Sequence, residues 1–337
     1  MKKTLVAIAI AAVSTSAFAD VSNRSENAKP MFEFDSMHKE QFSVSGAAGI
    51  GGYYDTKTDA MYDDWATALT VSVSYENNRL RGYLEVDLEM NYTTDNNETD
   101  AAGYDIESGP TSDVDKAWVG FETGAGIVSY GWENDTALDK VDGAGDFTYE
   151  FGSSAADASD AHNVFKFQGS TSGFAYGISS FDTDDSHKKA DTGANGYLGF
   201  EHEMFNVYAG YETRNKKNGY DYDVVSVSGN VTLGQFSIGL NTWVNDNEEK
   251  ANEDKGFYTS AAYALDDQLT LAAGYKSNTT ESDNAGTADV DTAYFNVAAM
   301  YTMNDRVDMG IDIRRDTDVK AGNDEETYVF AAAFYSF

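Results

Sequence analysis

Between Glu133 and His162 the sequence reads ENDTALDKVDGAGDFTYEFGSSAADASDAH and sets Glu133, Asp135, Asp139, Asp142, Asp146, Glu150, Asp157 and Asp160 against one base, Lys140. Carboxylates gathered at this density draw in cations and repel anions wherever the space around them is confined. A link of this length inside a compact domain is uncommon unless it is functional or disordered. The apolar residues Val141, Phe147, Tyr149 and Phe151 speak against disorder, because they need a surface to pack on. The stretch is therefore expected to fold back against a larger scaffold, with Asp146, Glu150 and Asp142 placed where ions pass. The blander alternative is that its acids only solvate it. A second acidic row, Glu85, Asp87 and Glu89, lies at a spacing of two and follows Arg79 and Arg81. Crowded carboxylates raise one another's pKa, so a cation preference built from them is expected to weaken as pH falls toward about 4.

Other chemistries find little support. His38, His162, His187 and His202 are scattered, and no G-x-S-x-G, H-E-x-x-H or P-loop pattern occurs. The chain has no cysteine, so it can form neither a disulfide nor a thiolate metal site. Its net charge of −34 offers no basic face to neutralise phosphates, which argues against a nucleic-acid partner. Acidic stretches at 95–107, 182–185 and 246–254 could hold a divalent cation, but none has EF-hand spacing, and solvated loops are the simpler reading. No cofactor and no metal site is expected.

The elements that must position these acids are strands. Residues 1–19 read as a cleaved export signal: Lys2 and Lys3, an apolar run from Leu5 to Val13, and a small-x-small site at Ala17-Phe18-Ala19. Residues 20–40 are polar, with an island at Met31, Phe32 and Phe34, and read as a periplasmic extension or a segment entering a lumen. From Gln41 the hydrophobic period is two. The stretch 79–92 is the clearest case: Leu80, Gly82, Leu84, Val86, Leu88 and Met90 share one face, and Arg79, Arg81, Tyr83, Glu85, Asp87, Glu89 and Asn91 share the other. The pattern recurs to give sixteen predicted strands, near 41–50, 67–75, 79–92, 112–122, 126–132, 163–169, 173–182, 195–202, 204–213, 220–233, 235–245, 256–265, 268–277, 289–303, 305–315 and 326–337. Short turns alternate with long polar links, and aromatics such as Tyr75, Tyr92, Tyr211, Tyr263, Tyr275, Tyr301 and Tyr335 collect near strand ends. Even strand number, alternating connection length and aromatic girdles describe an all-β, transmembrane, antiparallel up-and-down barrel over 41–337. Closure also removes the edges that so many strands would otherwise expose.

In these features the mature sequence resembles the trimeric general porins of Gram-negative outer membranes. The terminal Tyr335-Ser336-Phe337 looks like the aromatic signal read by the outer-membrane assembly machinery in that family. Gly126 to Gly131 (GIVSYG) looks like the strand leading into the family's third loop, and Tyr149-Glu150-Phe151-Gly152 looks like the loop's Pro-Glu-Phe-Gly core. Asp146 and Glu150, four apart, match the two constriction carboxylates. The resemblance implies a third loop folded into the lumen, a homotrimer in the lipid bilayer beside lipopolysaccharide, and passage of small hydrophilic solutes and cations. Here Tyr149 stands where the family has proline, and Ser153 where it has a second glycine. Of the family's opposing basic ladder only Lys116 has a match; the other positions fall near Ala47, Thr67 and Asp160. The expected lumen is thus more uniformly negative. Two other functions stay open: a substrate-selective, sugar-type channel with Tyr83, Trp118 and Tyr149 as an aromatic track, and a barrel scaffold whose acidic loops mediate surface binding.

Overall fold

A computed structural model describes residues 41–337 apart from 96–105, 107, 134, 159–160, 183–191, 216–218 and 285. Residues 1–19, expected to be an export signal, the 20–40 segment and Asp160 lie outside the described residues. The chain forms β1 (Gln41–Asp55), β2 (Ala60–Asp63), β3 (Ala68–Asn77), β4 (Leu80–Thr93), β5 (Gly109–Glu122), β6 (Ile127–Glu133), β7 (His162–Thr171), β8 (Phe174–Asp182), β9 (Thr192–His202), β10 (Phe205–Asn215), β11 (Asp221–Leu233), β12 (Phe236–Asn247), β13 (Asn252–Ala264), β14 (Leu269–Ser282), β15 (Val290–Asn304), β16 (Val307–Asp318) and β17 (Thr327–Ser336). In the link between β6 and β7 a short α-helix, α1 (Asp139–Asp142), runs into a 3-10 turn (Gly143–Gly145).

Each strand pairs antiparallel with its neighbours, and β17 returns to pair with β1 over Ala47–Ser336 to Asp55–Tyr328. The sheet is closed. The Gly46 and Phe337 backbones exchange hydrogen bonds of 3.1 and 3.0 Å, so the last residue completes the seam. β2 was not foreseen as a separate strand. It pairs with β1 and β4 on the long-loop side of β3, and so shares one position of the wall with β3. The barrel thus has the sixteen positions expected from periodicity. Asp63 makes the break between β2 and β3: its carboxylate accepts the backbone N–H groups of Trp65, Ala66 and Thr67 and turns the chain there.

Two faces with opposite chemistry follow from the period of two. Phe42, Val44, Ile50, Leu84, Leu88, Val119, Ile178, Leu198, Val207 and Leu240 are exposed, whereas alternate positions such as Ser72, Glu85, Ser179, Asn195, Glu212, Asn241, Ser260, Asn296 and Asp312 are buried. A soluble fold would reverse this. An apolar outer belt around a polar interior is the arrangement a lipid solvent demands of a closed barrel.

Candidate functional site: the segment between β6 and β7

The link foreseen as an inward-folding segment bonds to the polar face at many points. Working round the wall, Lys166 of β7 donates to the Asp135 carbonyl. The Ala137 N–H donates to Ser179 Oγ on β8 (3.0 Å), and the Leu138 N–H to Asn195 Oδ1 on β9 (3.3 Å). The Ala158 N–H is shared between the Glu212 carboxylate oxygens on β10 at 3.1 Å each. Asn230 of β11 donates to the Ala144 carbonyl (2.7 Å), and Asn241 of β12 donates to the Asp142 and Ser153 carbonyls (2.9 Å each). The Phe147 N–H reaches Ser260 Oγ on β13 (3.0 Å), and Tyr294 of β15 donates to the Phe151 carbonyl (3.0 Å). On β16 one oxygen, Asp312 Oδ2, accepts from the N–H groups of Tyr149, Glu150 and Phe151 at 3.2, 2.9 and 3.1 Å. Tyr149 OH donates to the Ala332 carbonyl on β17 (3.2 Å), and Tyr53 of β1 donates to Glu150. One segment of this length can touch so many strands of a closed wall only from its concave side.

Apolar packing agrees. Leu138 and Val141 are fully buried in a cluster with Tyr197, Tyr208, Val224, Trp243 and Tyr258. Tyr149 packs with Tyr53, Trp65 and Phe330, flanked by Phe147 and Phe151. Each buried aliphatic chain contributes about 1.5–3 kcal/mol relative to exposure. Two glycines allow closer approach than side chains would: a Cβ on Gly239 of β12 would stand 2.8 Å from Gly145 Cα, and one on Gly145 would strike the Leu240 backbone. Segment and wall therefore meet backbone to backbone.

The foreseen carboxylates are placed unequally. Asp146 accepts from the Thr148 N–H and hydroxyl at 2.8 Å each, and Gly152 leaves room for it, so it braces the segment's own turn. Burial pushes its pKa up to about 6. Glu150 receives the Tyr53 hydroxyl. Asp142 lies against Asp157; burial, then the Asp157 charge, drives its pKa up. Burial likewise pushes Asp157 to about 6 and Asp139 to about 8, the latter helped by Asp135 and Asp157.

The arc β3 to β5 meets the segment at Lys116 and carries the second acidic row. On β4, Glu85 accepts from Ser72 Oγ (2.7 Å) and the Tyr83 hydroxyl, Asp87 from Thr70, and Glu89 from Thr111 (3.3 Å) and Asn91 (3.5 Å). Asp113 and Asp115 stand beside them on β5, paired in register with Asp87 and next to Glu85's partner Lys116. Lys116 lies across from Glu85, as a wall base should, but its ammonium pairs with Asp135 at the root of the segment (2.9 Å). Arg81 is buried and pairs with Glu76 and Glu122 (the latter 2.9 Å), so it closes a local network near the short turn. Arg79 lies in that turn, outside the strand, and is exposed. Tyr335 and Phe337 are both on the outer face, 44% exposed. Of the three aromatics considered as a track, Tyr83 and Trp118 stack at 6.0 Å, while Tyr149 is turned into the wall.

Periodicity did not single out the residues that anchor the segment, Asp312, Glu212, Asn195, Asn241, Ser260 and Ser179. A usable signal existed for Asp312: it lies between Ile311 and Ile313, whose exposed side chains put it on the inner face. Among the described residues no group of three or more His, Asp or Glu is arranged to hold a metal ion.

A closed antiparallel barrel with an apolar belt, short turns at one end and long connections at the other is the architecture of an outer-membrane β-barrel protein. A sequence profile of Gram-negative porins matches residues 5–321, and the chain belongs to that family. Solved structures agree in fold. OmpF of Salmonella typhi, in complex with daunomycin, is 16% identical with a TM-score of 0.68 over 89% of this chain and 100% of that one. In-vitro folded OmpT of Vibrio cholerae, in a trimer form, is 17% identical with a TM-score of 0.66 over 88% and 99%. An anion-selective porin from Comamonas acidovorans is 10% identical with a TM-score of 0.65 over 89% and 100%. No curated relative matches the chain at significant similarity.

Proposed function

We propose that this porin is a passive, cation-preferring diffusion channel for small hydrophilic solutes, with no catalytic role. The fold alone does not set ion preference, since an anion-selective porin shares it. The reading rests on one observation. The arc β3–β5 carries seven carboxylates, Glu76, Glu85, Asp87, Glu89, Asp113, Asp115 and Glu122, against two cations, Arg81 and Lys116, each already paired with a carboxylate. The groups that donate to Glu85 and Asp87 from β3 and β4, the Ser72, Tyr83 and Thr70 hydroxyls, carry no charge. A negative wall in a confined lumen concentrates cations and repels anions.

Glu150 and Asp146 add to the same sign from the segment. A homotrimer is supported by the trimer form of the Vibrio cholerae structure and by the small, exposed Ala48 on the outer face of β1, whereas Gly46 is covered by the Phe337 ring. The test is the reversal potential of purified protein in a planar bilayer under a KCl gradient. Glu85→Gln/Asp87→Asn/Glu89→Gln should move it toward zero strongly, and Asp146→Asn/Glu150→Gln more weakly, because Asp146 braces the segment. A reversal potential unchanged in both variants would remove the carboxylates from selectivity.

A further inference from the structure

Two positions nearer the long-loop end of their strands than Asp312, Gly274, Asn241 and Asn296, the inner wall changes chemistry. Asp312 is followed on that face by Arg314, Gly274 by Lys276, Asn241 by Trp243, and Asn296 is preceded by Tyr294. Arg314 lies over the Tyr294 ring at 4.3 Å, and the Lys276 ammonium is 5.7 Å from the centres of both Tyr294 and Trp243. Both cations therefore flank one ring. Arg314 is bound to Asp316 (2.8 and 3.0 Å). Lys276 differs: among the described residues it has neither an ion pair nor a hydrogen bond, in a chain with 57 acids and 23 bases. Its charged neighbours are Arg314, Asp254 and Asp316. Asp316 is engaged by Arg314, and Asp254 accepts from Thr280.

An inward-facing ammonium without an ion pair or hydrogen bond among the described residues rests on ring faces, which contribute from about 0.5 kcal/mol at exposed sites to about 2 kcal/mol where water is excluded. A charge-assisted bond to an oxyanion is stronger and shorter. We infer that Lys276, with Arg314 beside it, forms an oxyanion-binding subsite on the long-loop side of the segment, which takes the carboxylate or phosphate group of an entering solute. Arg314 keeps Asp316 as its partner and adds positive potential; Lys276 supplies the free donors. The subsite is a local exception in an otherwise acidic lumen. It suits solutes that carry an anionic group together with a cationic or neutral remainder.

The experiment is single-channel recording in KCl with succinate or inorganic phosphate added on the long-loop side. The native protein should show a saturable reduction of current with at least one of them; the two probes distinguish a carboxylate from a phosphate preference. Lys276→Gln should raise the half-blocking concentration roughly tenfold, equivalent to about 1.4 kcal/mol, while Lys276→Arg retains block. Heat-dependent gel migration confirms that each variant is folded. Block of equal strength in Lys276→Gln, or no saturable block of the native channel by either anion, overturns the assignment. Neither result depends on the carboxylates of β4, whose variants are read by reversal potential.

Discussion

Asp312→Ala tests the attachment of the inward segment most directly. Asp312 is fully buried. Its Oδ2 accepts three consecutive backbone N–H groups of the segment, and both its oxygens accept from Asn296 Nδ2 at 3.1 Å. Removing the carboxylate strands three donors at the point where Tyr149 enters the wall. An unsatisfied buried donor costs about 1–3 kcal/mol, so the docked state loses about 3 kcal/mol at the low end. That multiplies the undocked fraction of residues 149–151 by about 150. The barrel ladder is untouched, so unfolding of the whole barrel should shift little. In bilayers the variant should show larger open-channel noise and altered conductance. By hydrogen exchange, the amides of Tyr149, Glu150 and Phe151 should lose protection while those of β16 keep theirs. Asp312→Asn, which keeps one acceptor and loses the charge, should lie between. Unchanged noise and unchanged exchange at 149–151 in Asp312→Ala would refute the idea that this single oxygen holds the segment.

Two further outcomes follow from the same geometry. The carboxyl groups of Asp139, Asp142, Asp146 and Asp157 all titrate above the ordinary aspartate value of 3.8 in the docked segment, Asp146 and Asp157 near 6 and Asp139 near 8. A raised docked pKa means that docking takes up protons. Docking is therefore strongest below about pH 4 and weakens as pH rises through 6 to 8, so channel noise should grow between pH 5 and pH 9, while cation preference should fall on the acid side; noise that falls with rising pH would contradict this. Gly145→Val puts a branched side chain against the Leu240 backbone, and it should displace the segment and give a conductance close to that of Asp312→Ala; a Gly145→Val channel with native conductance and noise would show that the close backbone contact is dispensable.

The strands, their faces and the alternation of short and long connections were legible because each depends on local periodicity. Leu80, Leu84, Leu88 and Met90 alternate with Arg81, Glu85, Asp87 and Glu89 in any register, and only a lipid-facing barrel puts the first set outside. The inward segment was legible as a need: Val141, Phe147, Tyr149 and Phe151 require burial. What covers them was not. Tyr149 meets Phe330 and Ala332, nearly two hundred positions later in the chain, and its backbone meets Asp312. Such pairings arise only when the sheet closes and brings β16 and β17 to β1. The separate β2 was missed for a related reason, since Asp63 interrupts the strand through backbone capping that periodicity does not register. Asp146 shows the limit most plainly. Its type and spacing from Glu150 marked it as a carboxylate for the pore, but Thr148 and Gly152 draw it into the segment's own turn. The sequence alone determined that a negatively charged, closed, lipid-facing barrel would form, because charge count and alternation are local properties. Which carboxylates face the solute path, which brace the segment and which cations are left over was decided by the tertiary structure, because a charge acts through its distance to partners that only folding assembles.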